Sequence, residues 1–404
     1  MGLKDTASLA LIPAAYKTSK IYSALPTDGD GDFTFIRTGN ATRVNKAGLV
    51  ETMGTNIGRL NYDLTNGTPA SCPSLLLEPS RTNFVSPNNS LTGYLTNGVS
   101  TTNNDTIDPN GTNEGAKVQA TTSGTAVMFK GFSTTSSNAT HNFSVFVKAG
   151  THNILQIQEG FAGANIIVDL SDGTEVSSLN ATNKKIEKYP NGWYRVSFNF
   201  TSNGTNLQFS IYFSGSYSVG KNYYVWGGQI ETGSYATSLI PTTAAVTRTV
   251  DFCYINSGLQ NVLNTSEGTL FVDVEVPRVS STGSFERITL SDQNASTDRI
   301  IFDNYGGNWR ALMLSSAGNV NRTIVSVTAN QRIKVAIAYS ATSLRISYDG
   351  NTATTTNGSY TPSTTLESFK FSNKDGGNKW QGKIYQSIYF DTALTNAELK
   401  QLTS

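Results

Sequence analysis

The chain has 404 residues, 37% hydrophobic and only 15% charged, with 30 basic against 29 acidic side chains. That balance supplies no basic field to draw in nucleic acid or anionic lipid, and 19 Phe with 18 Tyr give more apolar surface than a disordered chain carries. Two cysteines, Cys72 and Cys253, exclude a disulfide framework and read as free or buried thiols; no segment approaches the ~18 apolar residues of a membrane span.

Residues 1–83 show weak periodicity and several turn signals. The early apolar run Leu9–Ile12 is short, follows Asp5 and is broken by Pro13, which is not the pattern of a signal peptide. Scattered anchors, among them Leu9, Ile12, Tyr16 and Tyr22, predict an extended arm lying on another surface. Asp28, Asp30 and Asp32 imitate the opening of a calcium loop, but the twelfth position, which needs a bidentate Glu, is Gly39. A polar turn is the expectation there. Leu75, Leu76 and Leu77 form a continuous apolar run, as in a strand covered on both faces, and Pro79 ends it.

Residues 84–243 read as an antiparallel β unit with one core face and one polar face per sheet. Tyr194, Val196, Phe198 and Phe200 alternate with polar residues, Asn203-Gly204 marks a turn, and Leu207, Phe209, Ile211 and Phe213 alternate again. This pattern predicts a hairpin. A second hairpin is expected to turn at Asp172-Gly173, after Ile166, Val168 and Leu170.

Residues 244–404 read as a connector followed by a second β unit. Its strands are marked by Leu270, Val272, Val274 and Val276, by Ile333, Val335, Ile337 and Tyr339, and by Leu344, Ile346 and Tyr348 before an Asp349-Gly350 turn. Thr395 and Glu398 predict a capping box on a short terminal helix, with Leu394 and Leu399 at the staple positions. A long β domain closed by such a helix resembles the laminin-G and concanavalin-A-like jelly rolls, which mostly bind glycans.

Candidate chemistry is sparse. Asp273 and Glu275 lie two apart on a strand and face one side. The third acid that concanavalin-like glycanases place beyond such a pair is missing, and a solvated outer face is expected instead. His141 and His152 lack the partners of a zinc site or a triad. A sugar site needs an aromatic face and fixed amides or carboxylates. Asp303, Asn304, Tyr305 and Trp309 combine these in a turn-rich stretch, and Trp380 beside Asn378 and Lys379 is a candidate of the same kind. The competing reading is a hairpin whose Trp309 packs on the sheet. Trp193 and Trp226 are expected in the core.

The N-terminal region is similar to a family of phage and prophage tail-fibre or head-fibre proteins. The resemblance rests on Ala7-Ser8-Leu9, Ile12-Pro13, Tyr16-Lys17, Tyr22 through Gly29, Gly31-Asp32-Phe33, Ala41 through Asn45, Gly48 through Glu51, Cys72 through Pro79 and Arg81-Thr82-Asn83. Asn191 through Val196, Tyr224 through Gly233 and Tyr235 through Thr242 continue it in the middle unit. The resemblance implies a virion fibre with carbohydrate-binding jelly rolls. It implies an N-terminal arm that docks on other virion proteins, a homotrimer and attachment to host-surface polysaccharide. The sequence expectation is therefore all-β: an extended arm (1–83), a carbohydrate-binding-module-like jelly roll (84–243), a laminin-G-like sandwich (244–404) and a short C-terminal helix. The expected function is a non-enzymatic adhesin, the alternative is a structural adaptor or decoration protein, and a glycan depolymerase is disfavoured. No cofactor is expected, although a structural calcium stays open. No nucleic acid and no membrane insertion are expected. Whether the fibre sits on tail or head is open.

Overall fold

The computed structural model describes residues 2–134, 136–279, 286–292, 298–316 and 318–404. Among them the regular structure is mostly antiparallel strand, with one α-helix, Asn396–Thr403, at the end. No described helix is long and apolar enough to cross a membrane.

The first sandwich consists of two six-stranded sheets. One runs in the order Leu95–Asn97, Val127–Ser133, Asn206–Phe213, Ile154–Glu159, Ala164–Asp169, Thr174–Leu179. The other runs Val99–Thr106, Gly115–Ala120, Asn222–Thr232, Thr140–Ala149, Trp193–Thr201, Thr182–Lys188. Alternate residues of both, such as Phe143, Val145, Phe198, Ile157, Ile166 and Phe209, fill one core.

The expected hairpin of Trp193–Thr201 with Asn206–Phe213 does not exist. The first strand pairs with Thr140–Ala149 and Thr182–Lys188, the second with Val127–Ser133 and Ile154–Glu159, in the opposite sheet. Alternation fixes which side chains point inward, not which strand lies alongside. Here both apolar sets meet across the core, and the Asn203-Gly204 link passes between layers. The Asp172-Gly173 hairpin is present, with Ala164–Asp169 paired to Thr174–Leu179 and Gly173 at φ 79°.

Residues 1–83 are not a separate arm. Leu9–Leu11 pairs with Gly382–Phe390 near its end, and Ser74–Leu77 pairs with the start of that strand. Phe33–Ile36 pairs with Phe252–Ile255. These segments therefore complete the two sheets of the second sandwich, one of eight strands and one of nine. Leu9, Leu11, Ile21, Phe33, Phe35, Leu75 and Leu77 pack in one cluster with Leu270, Val272, Val335, Ile337 and Phe369. Of the anchors that suggested a docking arm, Leu9 is a core residue whose strand partner, Tyr389, lies in the C-terminal half.

The helix covers the outer face of the eight-stranded sheet. Leu394, Leu399 and Leu402 pack on Phe271, Ala336, Ala338 and Ile388. Its capping box forms as expected, with the Thr395 amide donating to Glu398 Oε2 at 2.7 Å and the Glu398 amide to Thr395 Oγ1 at 3.4 Å.

Residues 41–69 form two small hairpins laid on the first sandwich. Val44, Val50 and Leu64 pack with Phe146, Tyr189, Trp193, Trp226 and Leu239, so both family-like tryptophans are buried there. Behind this contact lies a buried ionic joint. Glu78 accepts from Arg59 at 2.6 Å, Arg248 at 2.8 Å and the Ser238 amide at 2.7 Å. Asp251 pairs with Arg37 at 3.2 Å and with Arg59. Arg37 also donates to the carbonyls of Met53, Gly54, Ile57 and Gly39.

Burial alone would raise the Glu78 carboxyl, but Arg248, Arg59 and Ser238 outweigh it and hold it well below the usual carboxylate range. A depressed folded-state value adds stability above the unfolded value, and that stability is lost only as pH falls through the depressed one. Glu78→Gln leaves Arg59 and Arg248 short of a counter-charge and is expected to cost about 3–5 kcal/mol at neutral pH. Urea denaturation across pH checks this: the gap to wild type should persist through pH 5 and close only in strong acid. Deletion of residues 1–40 removes four strands from the second sandwich. Limited proteolysis should then show only the first sandwich surviving, and an intact second sandwich would refute the assignment.

Candidate functional site

The residues singled out in the sequence as a sugar site lie together, but most of them are buried in a hairpin and its packing. Trp309 and Trp380 are buried, at 2% and 0% exposure. Trp309 stacks on Phe302 at 4.9 Å and on Trp380 at 6.0 Å, each with a 12° interplanar angle. Both rings belong to the core of the second sandwich, so no face of Trp309 is open to a sugar. Asp303 is buried between Arg287 and Arg310, at 2.9 and 2.8 Å. Asn304 is buried and donates to Glu286 at 3.0 Å. Tyr305 alone is exposed, with the Arg310 guanidinium 4.1 Å from its ring centre. The competing reading is the one found: Arg299–Tyr305 and Asn308–Ser315 form a hairpin whose alternation turns Trp309 inward. Of the docking residues, Leu9 is buried, Ile12 is 40% exposed, and Tyr16 and Tyr22 are half-buried.

The other sequence candidates are occupied locally. Asp273 is buried and holds Arg332 through two bonds of 2.5 Å, so it is not a solvated acid. Asp32 takes Lys20 at 3.0 Å and the Ser23 amide at 2.9 Å. His141 stacks on Phe200, and His152 lies 2.8 and 2.9 Å from the carbonyls of Ile154 and Ser214. Among the described residues no group of three His, Cys, Asp or Glu is placed to hold a metal ion. Cys72 is exposed and free; Cys253 is buried and free.

A concave site forms where the three sequence regions meet. The cavity is about 160 Å³. The turn after Leu60–Asn61 supplies Asn61, Tyr62 and Asp63; the edge strand Thr182–Lys188 supplies Lys185 and Glu187; the strand starts at Gly382 and ends near Glu275 supply Lys383 and Glu275. Lys383 Nζ lies 2.9 Å from both Asp63 and Glu275. Tyr385 Oη lies 2.6 Å from Asp63 and 3.1 Å from Glu275. Lys185 pairs with Glu187 at 2.7 Å. Arg195 donates to the Thr237 carbonyl at 2.6 Å, and its Nε is buried with no partner among the described residues.

The charges are mutually tuned. Burial would lower the Lys383 ammonium, but Asp63 and Glu275 outweigh it and raise it. Burial would raise Glu187, but Lys185 and Arg195 outweigh it and lower it. Burial, then Asp63 and Glu275, push the Tyr385 phenol far up, so it keeps its proton and donates to the carboxylates. The wall thus alternates fixed acceptors and donors at neutral pH. Glu275 was visible in the sequence as half of an acid pair. Asp63, Glu187 and Lys383 carried no local signal, because their juxtaposition depends on the joint.

Neither a family model nor a curated protein matches the chain. Among solved structures, it is similar to the CBM40 module of Ruminococcus gnavus IT-sialidase, at 11% identity over 36% of this chain and 88% of that one, with a TM-score of 0.31. Domains LG4-5 of the mouse laminin alpha1 chain match at 8% identity over 66% of this chain and 89% of that one, with a TM-score of 0.26. Trypanosoma rangeli sialidase matches at 9% identity over 92% of this chain and 82% of that one, with a TM-score of 0.31. The expectation that the chain is not an enzyme is corrected here. Sialidases stand among the matched structures, and that classification is withdrawn. At these TM-scores no activity is taken from any of the matches.

Trp309→Ala is expected to open a core cavity and cost about 3–5 kcal/mol. Urea denaturation checks it; an unchanged midpoint would place the ring outside the core.

Proposed function

We propose that the chain is a glycan-binding attachment protein of a virion fibre or spike, and that the cleft between its units holds a sugar. One observation carries the reading. Carboxylates, ammonium groups and the Tyr62 and Asn61 side chains line one cavity, on strands and on the turn after Leu60–Asn61. Sugar hydroxyls both donate and accept, so a wall of alternating fixed acceptors and donors suits them. The fibre-like motifs of the sequence support the virion setting. In that setting single weak sites gain strength from repetition, which a homotrimer would supply. Docking on other virion proteins would use the exposed rim of the N-terminal segment around Ile12, since Leu9 is buried.

A second reading, a structural adaptor, is favoured by the buried joint, which fixes the two sandwiches together as a stiff spacer. A glycan microarray separates the two. The adhesin binds host-surface glycans, and the adaptor is silent. Tyr62→Ala with Lys185→Ala removes two groups from the cleft without touching the joint. We expect about a tenfold loss of affinity, worth ~1.4 kcal/mol, with an unchanged melting temperature. Full affinity in the double variant would take the cleft out of the account, and sugar release in the same assay would assign cleavage to it.

A further inference from the structure

The first sandwich has one covered face and one open face. Residues 41–69 and the 233–243 segment pack over the sheet containing Thr140–Ala149, where Phe146, Trp193 and Trp226 point outward into Val50 and Leu239. Among the described residues nothing of the kind covers the other sheet, the one containing Asn206–Phe213. Its inward positions, including Met128, Ile157, Ile166 and Phe209, belong to the core. The alternate positions therefore form an outer surface of their own.

Register places these outward residues in rows across the strands. Phe129 lies opposite Ser210, Ser210 opposite Gln158, and Gln158 opposite Asn165. In the next row Tyr212 lies opposite Gln156. Gln208 extends the strand that carries both Ser210 and Tyr212. Phe129, Tyr212, Gln156, Gln158, Asn165 and Gln208 are all half-buried, so each presents part of its side chain to solvent. Leu95 at one edge and Leu179 at the other are 60% and 58% exposed.

Two properties of this face select its ligand. The first is the absence of charge. Among the outward positions of the six strands only Asp169, at a corner, is charged, and its carboxylate is taken by Ser171 and Asn153. The second is unspent hydrogen-bonding capacity beside open rings. Ser210 Oγ, between Phe129 and Gln158, is buried and has no partner among the described residues. Gln156 Nε2 donates to Gln158 Oε1 at 2.5 Å, which aligns the two amides and leaves further donors and acceptors on each. Rings cover the apolar C–H face of a pyranose, and neutral amides bind its hydroxyls. A second copy of the chain would need an apolar centre, and amides and a hydroxyl occupy the centre here.

We propose that this open sheet face binds an uncharged polysaccharide lengthwise across the strands. Six strands at about 4.8 Å spacing give a row of about 24 Å, so the ligand is a chain segment and not one sugar. The inference extends the glycan-binding reading to a second surface, remote from the charged cleft and different in ligand class.

Calorimetry on the full chain tests it, with neutral cello-, xylo- and mannohexaose and their monosaccharides as probes, and polygalacturonate as the charged comparison. At least one neutral hexaose should bind about tenfold more tightly than its monosaccharide and more tightly than the charged chain. Phe129→Ala with Tyr212→Ala should abolish that binding without lowering the melting temperature, and Gln156→Ala with Gln158→Ala should weaken it. The Tyr62→Ala, Lys185→Ala variant should leave it unchanged. Binding of a neutral hexaose that ignores Phe129 and Tyr212, or is lost only in the cleft variant, overturns this proposal and leaves the adhesin standing. Binding of the charged chain alone also overturns it. Sedimentation that shows self-association abolished by Phe129→Ala assigns the face to a second copy and overturns it as well. A chain silent toward every glycan overturns both readings.

Discussion

Glu78 and Asp251 sit in the interior among Arg37, Arg59 and Arg248, and everything placed between the two sandwiches depends on them. Arg37, Arg59 and Glu78 come from the N-terminal segment, Ser238 from the end of the first sandwich, and Arg248 and Asp251 from the stretch that enters the second. Ion pairs withdrawn from water return little net stability, because desolvation opposes their attraction. Their effect here is to penalise every other arrangement. Sliding either sandwich would strand a buried guanidinium or carboxylate, a far larger loss than a displaced apolar contact. The cost is contained because each charge has more than one partner, as with the carbonyls that Arg37 meets.

The cleft follows from that constraint. Asp63 and Lys383 meet because the N-terminal segment threads into the eight-stranded sheet beside Gly382–Phe390. Glu187 and Lys185 stand on the first sandwich, and only a fixed orientation keeps them against the same cavity. The covered sheet face has the same origin: the hairpins of residues 41–69 belong to the N-terminal segment that also supplies strands to the second sandwich, and they pack on Trp193 and Trp226. The opposite face is left free by that same choice. One joint thus produces a charged cleft on one side of the first sandwich and an uncharged open face on the other.

Much of this architecture was legible in the residues, and the failures share one cause. Period-two alternation located the strands Leu270–Val276 and Ile333–Tyr339 and told inward from outward correctly. The Asp349-Gly350 turn and the capped helix were readable because their determinants are a few residues apart. Pairing was not. Trp193–Thr201 and Asn206–Phe213 looked like neighbours because they are adjacent in sequence and equally alternating, yet they face each other across the core. Leu9 looked like an arm anchor because its partner, Tyr389, lies in the far half of the chain.

The fibre-like motifs show the same boundary between what is local and what is not. Leu75 through Glu78 and Tyr235 through Thr242 stood out as conspicuous words with no stated purpose. In the fold they are the two sides of the joint: Ser238 caps Glu78, Thr237 holds Glu231, and the Ile240 amide meets Gln229. Those words therefore specify how the units are joined, and they carry no information about what the units bind. The residues proposed to bind a polysaccharide, such as Phe129, Tyr212 and Gln158, belong to no such motif and stand on the sheet face away from the joint. A chain that keeps its joint can exchange such residues without refolding.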